Sequence, residues 1–81
     1  MKKIIIIGAG AMGSAFAVPC VDNNNDVTIV GTHLEDSLID NINLNKQVHP
    51  ALKTQLPIEV KFERFEKLQS ILKKDIDLIV V

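Results

Sequence analysis

Ile4-Ile5-Ile6-Ile7-Gly8-Ala9-Gly10-Ala11-Met12-Gly13-Ser14 joins two different kinds of chain. Four β-branched residues without polar alternation suit a central strand buried on both faces of a parallel sheet. Glycines end that run. From Ala11 to about Val21, Met12, Phe16 and Cys20 recur every fourth residue, which predicts an apolar stripe along one helix face. G-x-G-x-x-G at such a strand-to-helix junction is the context that gives the pattern chemical meaning. Gly8 permits the tight turn, Gly10 leaves the backbone open to a pyrophosphate, and Gly13 lets the helix pack closely on the strand. The exposed N–H groups and the positive helix end favour anionic phosphates. The alternative, on sequence alone, is a tight turn that binds nothing.

Outward from this junction the chain keeps alternating. Asn23-Asn24-Asn25 stops the first helix, because Asn tolerates the left-handed conformation at a helix end. Val27-Thr28-Ile29-Val30 predicts a second strand ended by Gly31. Leu34, Leu38, Ile39 and Ile42 follow at helical spacing, with Glu35 and Asp36 in the first turn, where acids suit the helix dipole. Asn43 to Leu56 is polar and irregular and is read as a loop. Ile58, Val60 and Phe62 alternate as a third strand. Phe65, Leu68 and Leu72 mark a third helix ending at Lys73 and Lys74, and Ile76 to Val81 is a last strand. The order β-α-β-α-β-α-β predicts an α/β fold: a Rossmann-type doubly wound parallel sheet, truncated. Ending within an apolar strand, residues 1–81 are expected to be the N-terminal part of a dinucleotide-binding domain. The rest of that domain and a substrate domain would then lie elsewhere.

Composition excludes several classes. Nine basic against ten acidic residues give a net charge of -1, without the clustered basic excess of a nucleic-acid footprint. A 47% hydrophobic content excludes a disordered chain. With no Trp, no Tyr and three Phe, the core must be aliphatic. The single cysteine, Cys20, forms no internal disulfide and points to a reducing, cytoplasmic setting. Lys2-Lys3, the uncharged run Ile4 to Val21 and Ala15-Phe16-Ala17 imitate a secretory signal. Gly8, Gly10 and Gly13 break the helix that such a signal or a membrane span requires.

The end of the second strand bears on the coenzyme. NAD-selective sites place an acid about 20 residues past the fingerprint, on the ribose 2′-OH. At that distance stand Thr32 and His33, without a carboxylate. Thr32 can donate a hydrogen bond, and protonated His33 favours a 2′-phosphate. NADP or NAD is therefore the expected cofactor, with NADP tolerated or preferred. Thr32 has a purely structural alternative as a helix N-cap.

Ile6-Ile7-Gly8-Ala9-Gly10-Ala11-Met12-Gly13-Ser14-Ala15-Phe16, followed by Val21-Asp22-Asn23-Asn24-Asn25-Asp26-Val27, resembles the N-terminus of NAD(P)-dependent glycerol-3-phosphate dehydrogenase, archaeal-type branch. Gly31-Thr32-His33-Leu34, His49-Pro50, Leu56-Pro57 and Asp75-Ile76-Asp77-Leu78-Ile79-Val80-Val81 extend the resemblance along the chain. It implies hydride transfer between glycerol 3-phosphate and dihydroxyacetone phosphate, with the small phosphorylated substrate bound by the missing domain and a homodimer as a possible assembly. It implies cofactor contacts from Ala11 and Met12 beside the pyrophosphate and from Thr32 at the adenosine ribose. The family's acid/base lysine motif has no counterpart here, so Lys46, Lys53, Lys73 and Lys74 are not assigned that role, and no residue of this chain is assigned a catalytic one. 2-Dehydropantoate reductase begins with a similar glycine run but lacks the His49-Pro50 and Leu56-Pro57 segment. A redox-inert nucleotide-binding module is the other alternative.

His33 and His49 are too few for a metal site and are expected as solvated loop histidines. Cys20 is expected to pack as a hydrophobe. Pro19 should kink or shorten the first helix.

Overall fold

The computed structural model describes every residue except Met1, Lys46, Ala51, Ile58, Lys74 and Val81, and not the side chains of Ala11, Met12 and Thr54. Strand β1 (Lys3–Ile7) leads through the glycine turn into helix α1 (Ala11–Asp22), then strand β2 (Asp26–Val30) and helix α2 (Asp36–Leu44). A hairpin of two short strands follows, β3 (Val48–His49) and β4 (Thr54–Gln55). Strand β5 (Lys61–Glu63), a 3-10 turn (Phe65–Lys67), helix α3 (Leu68–Leu72) and strand β6 (Leu78–Val80) complete the described chain.

The four longer-range strands form one parallel sheet in the order β5-β2-β1-β6. The first strand is internal, its successors lie on one side, and the last crosses to the other. That is the Rossmann-type arrangement, and the gap between β1 and β6 is its switch point. Burial explains the centre. Ile4, Ile5 and Ile6 are all buried, as the unalternated β-branched run requires. Ile4 and Ile6 join Ala17 of α1, Val27 and Ile29 of β2, Ile39 and Ile42 of α2 and Phe62 of β5 in one core cluster. Full burial of each isoleucine contributes about 1.5–3 kcal/mol. Asn24 takes a φ of 63° after α1, the left-handed stop anticipated from its triplet.

Several expectations need correction. Of the Met12-Phe16-Cys20 stripe, Phe16 is turned out, 45% exposed, whereas Ser14 and Ala17 are fully buried; the Met12 side chain lies outside the described residues. At Gly13 helix α1 lies close against the sheet; its fully buried residues, Ser14 and Ala17, are small, and Val18, Cys20 and Val21 pack partly buried against the core. Cys20 is half-buried against the core, as a packed hydrophobe should be. Pro19 does not shorten α1, which runs on to Asp22; the ring is exposed, and Asn23 N–H closes the last turn on the Pro19 carbonyl. The polar stretch from Asn43 to Leu56 is not all loop: α2 reaches Leu44, and the antiparallel β3–β4 pair lies within the stretch. Gln47 makes this possible by taking a φ of 69° and donating to the carbonyls of Val60 (2.8 Å) and Pro57 (3.2 Å). The third strand covers only Lys61–Glu63, with Val60 buried just before it; Ile58 lies outside the described residues. The third helix is a short α3 preceded by the 3-10 turn, with Phe65 and Leu72 exposed. Lys73 caps it, and Lys74 lies outside the described residues. The last strand is Leu78–Val80, pinned at its start by Lys3 N–H donating to Asp77 (2.7 Å); Val81 also lies outside the described residues. No helix among the described residues is long and apolar enough to cross a membrane.

Helix α1 rests on β1 where a Cβ at Gly13 would stand 2.8 Å from the Gly8 carbonyl oxygen. Gly13→Ala therefore forces backbone apart and should cost about 1–3 kcal/mol of stability, whereas Gly10→Ala, meeting no protein atom within 4 Å, should melt close to the wild-type temperature. Thermal unfolding of the two variants checks this contrast.

Candidate functional site

The site grows from the carboxyl end of β1. Gly8 has a φ of 112°, a conformation L side chains rarely adopt, and its N–H donates to the Val30 carbonyl (2.7 Å). The chain thus turns sharply while remaining tied to the end of β2. Gly10 is the N-cap of α1, with no side-chain cap and no acid in the first turn. The first intrahelical bond runs from Ser14 N–H to the Gly10 carbonyl (3.0 Å). The N–H groups of Ala11, Met12 and Gly13 precede it and have no helical acceptor. Here the positive end of the helix dipole meets uncompensated donors, which suits an anion.

Gly10 itself is informative. Its φ of -65° is open to any residue, and a Cβ there would meet nothing. Neither conformation nor packing within the chain demands glycine at this position. A ligand pressed against the backbone would. A groove of about 430 Å³ adjoins it, lined by Ile6, Ile7, Gly8, Gly13, Phe16 and Val80 as well as Gly10. It spans the ends of β1 and β6, the switch-point crevice where open α/β sheets bind ligands. A hollow of about 480 Å³ beside Asn24, Asp26 and Lys61 lies at the opposite edge, by the amino ends of β2 and β5.

Thr32 and His33 follow β2 on this same carboxyl edge. Thr32 does not cap α2, whose N-cap is Glu35. Instead Thr32 N–H donates to the Glu35 carboxylate (2.9 Å), and its hydroxyl bonds the same group. His33 is exposed and meets Phe65 edge-on, with ring centroids 6.0 Å apart. The glycines are thus brought together, Thr32 is linked to them through Glu35, and His33 stands farther out. The side chains of Ala11 and Met12 lie outside the described residues.

Two residues of the site were not assigned to it from sequence. Glu35 is not simply a first-turn acid of α2: its Oε1 also accepts from Ala9 N–H (3.0 Å), bridging the loops after β1 and β2. His49 is not a solvated loop histidine. It is 2% exposed, and its Nε2 lies 2.8 Å from the Ala9 carbonyl oxygen. In the sequence Glu35 reads as a helix-dipole acid and His49 only as part of the His49-Pro50 segment, and neither reading points to Ala9. Among the described residues no group of three His, Cys, Asp or Glu is arranged to hold a metal.

A family model described as the N-terminus of NAD-dependent glycerol-3-phosphate dehydrogenase matches residues 3–81. The chain belongs to this family. Among relatives, the NADP(+)-dependent glycerol-3-phosphate dehydrogenase of Archaeoglobus fulgidus is 45% identical over 53 residues, covering 65% of this chain and 16% of the relative. The glycerol-3-phosphate dehydrogenase [NAD(P)+] of Aster yellows witches'-broom phytoplasma is 46% identical over 54 residues, 67% of this chain and 15% of its own length. The Bacillus pumilus protein of the same name is 40% identical over 62 residues, 75% of this chain and 17% of its own length. The chain thus matches about a sixth of these glycerol-3-phosphate dehydrogenases, and the match favours this family over the 2-dehydropantoate reductases.

Partial burial by itself raises the Glu35 pKa. The N–H groups of Ala9 and Thr32, the Thr32 hydroxyl and the charge of His49 outweigh it, holding the carboxyl below its ordinary 4.5. A carboxylate depressed in the fold stabilises it above the unfolded value and loses that contribution as pH falls through the folded value. Glu35→Gln should therefore melt below wild type at about pH 5.5, with the gap closing toward about pH 3. Melting both proteins across that range checks it.

Proposed function

We propose that this chain supplies the cofactor-binding front of an oxidoreductase that uses NADP or NAD to interconvert glycerol 3-phosphate and dihydroxyacetone phosphate. The family match supports the reaction class. The observation that carries the cofactor reading is Gly10, a glycine that nothing within the chain requires, beside the unpaired first-turn donors of α1.

The residues present fit a dinucleotide. Gly8, Gly10, Ala11, Met12 and Gly13 form the backbone cradle, and its N–H groups would hold the diphosphate oxygens. Thr32 and His33, after β2, stand where the adenosine ribose would lie. Glu35 is ionised at neutral pH, but its Oε1 is turned onto the Ala9 and Thr32 N–H groups, which partly offset its charge. Exposed His33, when protonated, would attract a 2′-phosphate. Both coenzymes therefore remain ligands. When bound, the nicotinamide accepts or returns the hydride of the secondary alcohol. The chain's own part is to bind and orient it. Phe16 and Val80 line the groove beyond the cradle and would offer apolar contact there.

The reading assigns no catalytic role to Lys53, on the hairpin turn, or to Lys73, at the end of α3. Lys46 and Lys74 lie outside the described residues. The relatives are about six times longer than their matched segments, and the reading draws the substrate site and the proton-transfer group from counterparts of that remainder. Half-buried Cys20 fits a reducing, cytoplasmic setting.

Calorimetric titration of the 81-residue chain with NADPH and NADH should show binding that inorganic pyrophosphate competes away, and no turnover with glycerol 3-phosphate. Gly10→Ala should weaken both coenzymes at least about tenfold, because its methyl group would occupy the diphosphate's place. Undiminished affinity in Gly10→Ala would contradict the reading.

A further inference from the structure

Ala9 lies between Gly8 and Gly10, where the chain should be freest to move. Yet it is wholly buried, and both of its backbone polar groups are held. Its N–H donates to Glu35 Oε1 (3.0 Å). Its carbonyl accepts from His49 Nε2 at 2.8 Å and from Ser14 Oγ at 3.4 Å. Because a carbonyl oxygen only accepts, His49 Nε2 must carry a proton. His49 comes from forty residues along the chain, on a hairpin that is no part of the main sheet. That hairpin is itself fixed: Leu56 is buried, its N–H donates to the Gln47 carbonyl (2.9 Å), and the Gln47 side chain reaches the Val60 carbonyl.

The Ala9 carbonyl and the Gly10 N–H belong to one peptide unit. In a trans peptide these two groups point in opposite directions, and no cis bond occurs among the described residues. Drawing the Ala9 oxygen inward onto buried His49 therefore turns the Gly10 N–H outward, away from the hairpin. One unit earlier the same rule holds. Glu35 takes the Ala9 N–H, and the Gly8 carbonyl faces the other way, against Gly13.

We infer that His49 is a positioning residue, holding the Ala9–Gly10 peptide so that the Gly10 N–H is aimed at an anionic oxygen of a dinucleotide's diphosphate. The inference rests on the cofactor reading above. Preorganisation matters here because two flexible glycines would otherwise have to be ordered each time a ligand bound. The hairpin thereby acquires a role at the site without touching the ligand.

The test compares His49→Gln with His49→Asn in the 81-residue chain. Both are polar and similar in the burial they ask of the fold. Gln carries an amide donor near the reach of Nε2, whereas Asn is too short to meet the Ala9 carbonyl. Titration with NADPH should find His49→Gln within about threefold of wild type and His49→Asn about tenfold weaker. Wild-type binding with equal affinities in the two variants, whether both retained or both lost, overturns the inference and leaves the cofactor reading standing. Failure of the wild-type chain to bind overturns both. If His49→Asn does not fold, His49→Gln decides: wild-type affinity with an unmoved Gly10 amide resonance supports the inference, and lost affinity or a displaced resonance overturns it.

Discussion

The carbonyl of Gly8 is so near helix α1 that a single methyl group at Gly13 would stand 2.8 Å from it. That close seating fixes almost everything else. Beside it, the fully buried residues of α1, Ser14 and Ala17, are small, and Phe16 is turned outward. The same seating brings the amino end of the helix directly over the end of β1, so its unpaired N–H groups open at the switch point between β1 and β6. A helix seated an ångström or two farther out could pack a larger stripe, but it would not deliver those donors to the carboxyl edge of the sheet.

The polar groups around the turn divide into two sets. Ala9 is locked inward by Glu35, His49 and Ser14, while Gly10 and the first turn of α1 face outward without a cap. Locking one peptide leaves its neighbour committed, and the committed neighbour is an amide suited to phosphate. Glu35 serves a second purpose. By accepting from both Ala9 and Thr32 it holds the loops after β1 and β2 side by side, along the path an extended dinucleotide would follow.

Much of this was legible in the sequence, and the reasons differ from element to element. The Ile4–Ile7 run and the glycine pattern carry their meaning locally, so β1, the turn and the start of α1 follow from adjacent residues. The Asn triplet and its positive φ at Asn24 are equally local. What escaped depends on distant partners. Periodicity marked Phe16 as inward-facing, because spacing reveals that a face is apolar but not how close the sheet lies. His49 looked like a solvated histidine because its partner is forty residues away. Glu35 looked like a helix-dipole acid because its bond to Ala9 crosses from one βα turn to the next. The hairpin escaped for a similar reason: it is held by Gln47 reaching carbonyls beyond Leu56, a contact that no local alternation announces.

Central to this account is that the outward-facing amides of the glycine turn receive the diphosphate. Two-dimensional amide spectra recorded during titration with NADPH test it most directly. The largest shifts should fall on Gly10, Ala11, Met12 and Gly13, with Asn24 and Lys61 at the opposite edge of the sheet unmoved. Saturable binding whose shifts fall at that opposite edge, leaving the glycine turn unchanged, would contradict it.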